Sequence, residues 1–390
     1  MKAVVYHAPY EVRVEEVAIP RVQDPADAVV RLTSSALCGS DLHMYQGRIV
    51  PEPGLILGHE GMGVIEEVGS SVRLRKKGER VVMPAHLFCG VCVKCAEGIT
   101  AECLTMRPGK VGAAFGYAGE GHYPGMQAEW VRVPYADANC VPLPGTPGDD
   151  QEDDFLMLAD ALVSGWHAAD LARVQGTSTV AVFGAGPIGL LTVMSLLMRG
   201  AGLVFSVDYI VERLGLAQEL GAIPVNFQAS DPVDQIREYR KQHGIPPGEG
   251  SLDGVDAAID AVGFQALDRS DPTVENPNQV IQDMARLVNP GGTLGIIGVY
   301  VKKDPRPTAG EGADGSLRVP WGQLFSKDVT IGMGRTNDRQ YTRRMRDLVM
   351  SGRVHPGRIV THHIPLEAAP DGYRLFAKRT DGVIKVVFHP

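Results

Sequence analysis

The stretch CGVCVKCAEGITAEC places Cys89, Cys92, Cys95 and Cys103 within fifteen residues. Three chemistries use thiols this close together: a disulfide framework, an iron–sulfur cluster and a four-thiolate zinc. Disulfides need an oxidising compartment. The N-terminus, MKAVVYHAPYEVRVEEV, carries no signal-peptide core, which points to a cytoplasmic protein. The bacterial iron–sulfur pattern continues after its third cysteine with three residues, Cys and Pro. Here seven residues separate Cys95 from Cys103, and Leu104 follows. A closed tetrahedral zinc fits this spacing best. Four protein ligands leave no position for substrate, so the expected structural zinc sends the search for chemistry elsewhere.

Two other stretches carry reactive groups. SALCGSDLHM offers Cys38, Ser40, Asp41 and His43, and LGHEGMGVIEEVGSSV offers His59 and Glu60. Thiolate, imidazole and carboxylate are all zinc donors. A third stretch, VAVFGAGPIG, sets Gly184, Gly186 and Gly189 as G-x-G-x-x-G between a strand and a helix. The first glycine permits a tight turn, the second lets the backbone approach a pyrophosphate, and the third lets helix pack on strand. Pro187 and Ile188 open that helix, whose free N–H groups favour phosphate. Asp208 ends the next strand, nineteen residues after Gly189. A carboxylate there binds adenosine ribose hydroxyls and repels a 2′-phosphate, which favours NAD over NADP. Arg213 would flank the adenosine. The bland alternative is a glycine-rich turn that binds no nucleotide.

These groups need scaffolds, and the chain provides two kinds. Residues 1–155 are rich in short alternating runs such as AVVRL, GMGVIEEV, ERVVMPA and AEWVRVP, the pattern of an all-β domain of barrel or sandwich type. TPGDDQEDD, residues 146–154, is an acidic connector. Residues 156–335 alternate strands (TVAVF, LVFSVD, IPVNF, VDAAIDAVG, TLGIIGVY, VTIGMG) with helices, including PVDQIREYRKQHG and QVIQDMARLVNPGG. That is the α/β pattern of a doubly wound parallel sheet. Asp260, Val262 and Gly263 in DAVGF, and Val299 in GVY, stand at strand ends where a nicotinamide should lie. Gln265–Pro277 and Lys302–Val319 read as long loops, either lids, interface arms or decoration. Residues 336–390 do not form another such unit.

Composition narrows the partners. The 390 residues are 44% hydrophobic and 22% charged, with net charge −8. That balance argues against nucleic acid or an anionic membrane as the main partner. Val180–Met198 lacks charge, but its glycine turn divides it into strand and helix rather than a membrane span.

Gly58-His59-Glu60, followed by Gly63, Gly69 and Val72, matches the G-H-E-x2-G-x5-G-x2-V pattern of zinc-dependent medium-chain alcohol dehydrogenases. With the cysteine lobe, the glycine turn and the domain order, the resemblance spans essentially the whole chain. It implies a GroES-like β-barrel catalytic domain, a Rossmann domain, and a C-terminal segment that rejoins the first. It also implies two zinc ions per chain, NAD as cofactor, and a homo-oligomer, dimer or tetramer. Carried over, Cys38 and His59 are the first two ligands of a catalytic zinc in the cleft between the domains. Many relatives supply a cysteine as third ligand. The matching stretch here, LADALVSGWHAAD, offers Asp160, and Cys140 in DANCVPLP lies too early to replace it. An aspartate there is the pattern of the glutathione-independent formaldehyde dehydrogenases, which GHYPGMQAEWVRVPYADAN, CGSDLHM and AIDAVGFQA also resemble. The alternative for Asp160 is a helix N-cap.

By the same resemblance, Glu60 is an alternative or transient ligand, or else a salt-bridge partner. Asp41 orients His59 through its free ring nitrogen. Ser40 and His43 relay the proton. The implied reaction moves hydride from a primary alcohol or a hydrated small aldehyde to NAD. A general alcohol or polyol dehydrogenase is the second possibility. A non-catalytic NAD-binding redox sensor is the third, and it would not need these ligands. Trp166, Phe115 and Tyr117 could narrow the substrate pocket or simply pack the core.

Overall fold

The computed structural model describes residues 1–243, 252–307 and 313–390. They form two compact units: Met1–Val163 with Thr336–Pro390, and Ser164–Arg335.

The first unit opens with an antiparallel pair, β1 (Lys2–Ala8) and β2 (Glu11–Glu16). Next come β3 (Ala28–Leu37), β4 (Glu60–Val68), β5 (Arg80–Met83), β6 (Trp130–Val133) and β7 (Val141–Pro142). In the second unit lie β8 (Thr179–Phe183), β9 (Leu203–Asp208), β10 (Ile223–Asn226), β11 (Val255–Asp260), β12 (Val288–Ile296) and β13 (Thr330–Met333). The chain then returns to the first unit with β14 (Val360–Pro365) and β15 (Lys385–His389).

The main sheet of the first unit runs β14-β15-β3-β4-β5-β7, with β6 also on β3. Its register brings distant residues together. Ala36 of β3 lies opposite Glu60 of β4, so Cys38, just past the end of β3, meets His59, just before β4. Val386 of β15 lies opposite Leu37, which sets Lys385 at the same level. Apolar clusters pack this unit among the described residues. One includes Val30, Met83, Phe88, Phe115 and Met126. Another joins Tyr6, Leu37 and Tyr45 to Tyr373 and Phe388 from the returning segment.

The second unit is a parallel sheet in the order β10-β9-β8-β11-β12-β13. The order reverses between β8 and β11. In open α/β sheets ligands bind outside the carboxyl ends of the strands at such a switch point. Phe183, Phe205, Ile236, Met284 and Leu294 pack its core.

Some elements differ from the sequence expectation. The helix before β12 stops at Leu287, and Asn289-Pro290-Gly291-Gly292 belongs to the strand, not the helix. Strand β14 was not anticipated: VTHHIP is an edge strand with a half-buried and exposed alternation, which lacks an apolar signal. Gln265–Pro277 is tied down rather than loose. Arg269 pairs with Asp231 at 2.6 Å and with Asp283, and Arg286 pairs with Asp231 at 2.8 Å. Gly244, the expected end of one helix, and residues 308–312 of the second long loop lie outside the described residues. No helix among the described residues is long and apolar enough to cross a membrane.

Candidate functional site

The acidic connector turns out to be scaffolding. Arg80, buried on β5, reaches Asp149 through both guanidinium nitrogens at 2.7 and 3.0 Å, and Glu152 at 2.5 Å. Thr33 and Ser34 of β3 donate hydroxyls to Glu152 at 2.8 and 2.7 Å. Burial raises both carboxyl pKa values, but Arg80 at Asp149, and the Gly148 amide followed by Ser34, Thr33 and Arg80 at Glu152, outweigh it and hold both below their ordinary values. The connector is thereby fixed to two strands. Downstream, the amide of Ala85 donates to the carbonyl of Ala159 at 2.9 Å, which pins the residue before Asp160. Asp160 also immediately precedes the helix Ala161–Leu171.

There the groups converge. Donor atoms of Cys38, His59, Glu60 and Asp160 all lie within 4.8 Å of one another. Cys38 Sγ is 3.7 Å from Asp160 Oδ2, and His59 Nε2 is 3.5 Å from the same oxygen. Ligands around a tetrahedral zinc, at Zn–S ~2.3 Å and Zn–N or Zn–O ~2.0–2.1 Å, sit roughly 3.3–3.8 Å apart. The donor set, one thiol, one imidazole and carboxylate oxygen, suits the same ion. The Ser40 hydroxyl lies 3.3 Å from both Cys38 Sγ and His59 Nε2. His43, one helical turn on in Gly39–Tyr45, is buried. The Tyr117 ring stands edge-on to His59 at 6.1 Å.

A chain of polar groups holds these residues. Asp41 Oδ1 is 3.2 Å from His59 Nδ1. Its other oxygen accepts from the Cys38 amide at 3.0 Å and from Gln127 Nε2 at 3.3 Å. Gln127 Oε1 in turn accepts from the Tyr373 hydroxyl at 2.8 Å. Burial opposes a charged imidazole at His59, but Asp41 leads the groups that outweigh it, so its pKa lies well above the ordinary value. Glu60 faces Lys385 at 2.5 Å, and both side chains are fully buried. Sequence patterns did not reveal Gln127, Tyr373, Lys385 or Arg80. Only Lys385 left a trace, as a lysine inside the apolar strand segment GVIKVVF. Phe115 packs in the core, and Trp166 carries the Arg199 guanidinium 4.2 Å over its ring.

The cysteine quartet lies elsewhere in the same unit. Its four donor atoms also fall within 4.8 Å of one another. Cys89 and Cys95 sulfurs are 4.0 Å apart, and Cys92 and Cys103 sulfurs 3.9 Å. Four thiolates on a tetrahedral zinc sit roughly 3.8 Å apart, and a disulfide needs ~2.05 Å. All six cysteines of the chain are free. Amides of Val91 and Cys92 donate to Cys89 Sγ at 3.5 and 3.3 Å. Burial favours the thiol, but hydrogen bonds outweigh it: Cys89 is shifted down, and Cys92 to about 6. The returning segment clamps this lobe. Asn337 Oδ1 accepts from the Ala101 amide at 3.2 Å, Arg339 donates to the Gly90 carbonyl at 2.6 Å, and Gln340 to the Gly98 carbonyl at 2.9 Å.

In the second unit, Gly184-Ala185-Gly186 links β8 to the helix Pro187–Met198, with Gly186 at its N-cap. A Cβ on Gly189 would meet the Gly184 carbonyl oxygen at 1.8 Å, so helix and turn allow none. A Cβ on Gly186 would meet only Arg213 Nη1, at 3.7 Å. The protein itself does not demand glycine there; an open cradle that a side chain would fill is what an approaching pyrophosphate requires. Asp208 accepts from the amides of Ala185, Tyr209 and Ile210 at 2.7, 2.7 and 3.0 Å. A carboxylate has about four acceptor positions, so one remains for a ribose hydroxyl. Asp260, Val262, Gly263 and Val299 cluster at the ends of β11 and β12. The amides of Val262 and Gly263 donate to Asp260 at 2.8 and 3.0 Å, and the Phe264 amide donates to the Val299 carbonyl at 2.9 Å.

Residues 24–145 match the alcohol dehydrogenase GroES-like domain. An uncharacterised zinc-type alcohol dehydrogenase-like protein of Bacillus subtilis is 34% identical over 100% of both chains. The chain belongs to the zinc-type alcohol dehydrogenase family. A glutathione-independent formaldehyde dehydrogenase of Pseudomonas aeruginosa is 35% identical, covering 96% of this chain and 94% of its own. Among solved structures, an alcohol dehydrogenase from Thermus sp. ATN1 superimposes with a TM-score of 0.83 and 33% identity, over 100% of this chain and 99% of that one. Membership implies zinc and a nicotinamide dinucleotide. It agrees with the expected pairing of a GroES-like domain with a parallel-sheet Rossmann domain.

Proposed function

We propose that the protein is a zinc- and NAD-dependent oxidoreductase that oxidises a small primary alcohol or a hydrated small aldehyde, formaldehyde foremost. The observation that carries this is the convergence of Cys38, His59 and Asp160 at ligand-to-ligand separations. Cys38, His59 and Asp160 would hold the catalytic zinc, and Cys89, Cys92, Cys95 and Cys103 a structural one. Bound in the first site, zinc supplies Lewis acidity that lowers the pKa of a substrate hydroxyl toward neutrality.

The chain's own residues do the rest. Ser40, whose hydroxyl lies against two ligand atoms, accepts the substrate proton and passes it toward buried His43. Asp41, held by Gln127 and Tyr373, keeps His59 oriented with Nε2 facing the metal position. Lys385 draws the Glu60 carboxylate to itself, which leaves three ligands and an open position. Gly184, Gly186, Pro187, Ile188 and Gly189 cradle the pyrophosphate, and Asp208 takes the adenosine ribose with Arg213 beside it. The substrate loses a proton to the relay and a hydride to the nicotinamide.

The test is an assay of formaldehyde and short alcohols with NAD, with and without glutathione. Turnover of formaldehyde with NAD alone is expected. A strict glutathione requirement would remove the formaldehyde assignment, and activity only with larger polyols would support the general dehydrogenase.

A further inference from the structure

Asp260, the last residue of β11, is buried at 1% exposure and carries more structure than its position suggests. One carboxylate oxygen accepts from the amides of Val262 and Gly263. The other accepts from the Tyr300 hydroxyl at 2.8 Å. Its main-chain carbonyl accepts from the amides of Ile297 and Gly298, both at 3.0 Å. The two turns that follow β11 and β12 are thus sewn together through one residue. They also touch directly. Gly263 has φ of 80°, and a Cβ there would meet the Val299 carbonyl oxygen at 2.3 Å. A Cβ on Gly184 of the glycine turn would meet Val262 Cγ2 at 2.8 Å, so this unit abuts the pyrophosphate cradle as well.

A doubly wound sheet binds a dinucleotide across its switch point, one nucleotide over each half. The half β8-β9-β10 holds the glycine turn and Asp208, so the adenosine belongs there. The half β11-β12-β13, with the Asp260 turn at its edge, is left for the nicotinamide nucleotide.

We propose that Tyr300 is a positioning residue for the nicotinamide end of the cofactor, acting through Asp260 rather than by touching the ligand. The hydroxyl of Tyr300 fixes the Asp260 carboxylate. That carboxylate fixes the amides of Val262 and Gly263, and with them the close contact between the Gly263 turn and Val299. The inference rests on the dinucleotide assignment given above.

The test uses the full-length, metal-replete protein and two probes: NADH, followed by its fluorescence, and ADP-ribose, which lacks the nicotinamide, followed by calorimetry. Tyr300→Phe keeps the ring and removes one hydrogen bond. NADH should bind roughly 3- to 10-fold more weakly, with ADP-ribose affinity and zinc content unchanged. Asp260→Asn should move in the same direction and serves as the second variant if Tyr300→Phe folds poorly. Equal weakening of both probes, or of neither, overturns the proposal. Wild-type protein that binds neither probe would instead overturn the dinucleotide assignment itself.

Discussion

The first unit holds two quartets of side chains that could hold a metal ion, and they are built in opposite ways. The cysteine lobe takes all its donors from Cys89–Cys103, and backbone amides are the main partners of its sulfurs. The other centre takes its donors from Cys38, His59, Glu60 and Asp160, on three separate segments, and a network of side chains orients them. A lobe of four thiolates can saturate its ion and needs only a local loop. A centre that must keep a position open needs ligands held from outside, because the ion alone cannot enforce three-fold ligation. In the proposed function, that difference separates a metal that holds structure from one that does chemistry.

The comparison can be broken at either end. Cys38→Ala should lower turnover by on the order of 10³ or more, while thermal unfolding stays close to wild type. A large loss of stability with residual turnover would reverse the roles. Cys92→Ala should do the opposite: it should cost at least ~3 kcal/mol of stability and release one zinc, with the remaining folded protein still active. Unfolding midpoints and residual activity per folded molecule decide it.

Two further variants sharpen the contrast. Gln127→Ala leaves every proposed ligand in place but removes one of the donors that hold Asp41, and should weaken metal retention at the open centre by about tenfold. Competition with a chelator measures this, and the lobe zinc should not respond. Arg80→Met tests the connector. Asp149 and Glu152 have folded pKa values held below their ordinary ones, with Arg80 as a shared donor. Their contribution is present above the ordinary carboxylate range and is lost as pH falls from that range through their lower folded values. The stability gap between wild type and variant should therefore be present at pH 7 and shrink below about pH 4. A gap that is constant with pH would mean that Arg80 acts through packing alone.

The same contrast decided what the sequence could reveal. The cysteine cluster was legible from spacing because its four residues are local in the chain. The Rossmann strands were legible from their apolar runs, and the glycine turn from its order. The place of Asp160 beside Cys38 and His59 was reached only through resemblance, since nothing in LADALVSG singles out an aspartate. Gln127 and Tyr373 were invisible because their roles depend on pairing across 246 residues. The connector TPGDDQEDD read only as acidic, with no hint of its anchoring, because its partner, Arg80, lies on β5 far upstream. Strand β14 lacked the apolar alternation that marks strands, being an edge.

The most direct test of two metals with two roles is metal analysis of wild type beside Asp160→Ala. Wild type should hold two zinc ions per chain. The variant should hold one, unfold near the wild-type temperature, and fail to oxidise any alcohol or aldehyde. Two zinc ions and preserved turnover in Asp160→Ala would contradict the account.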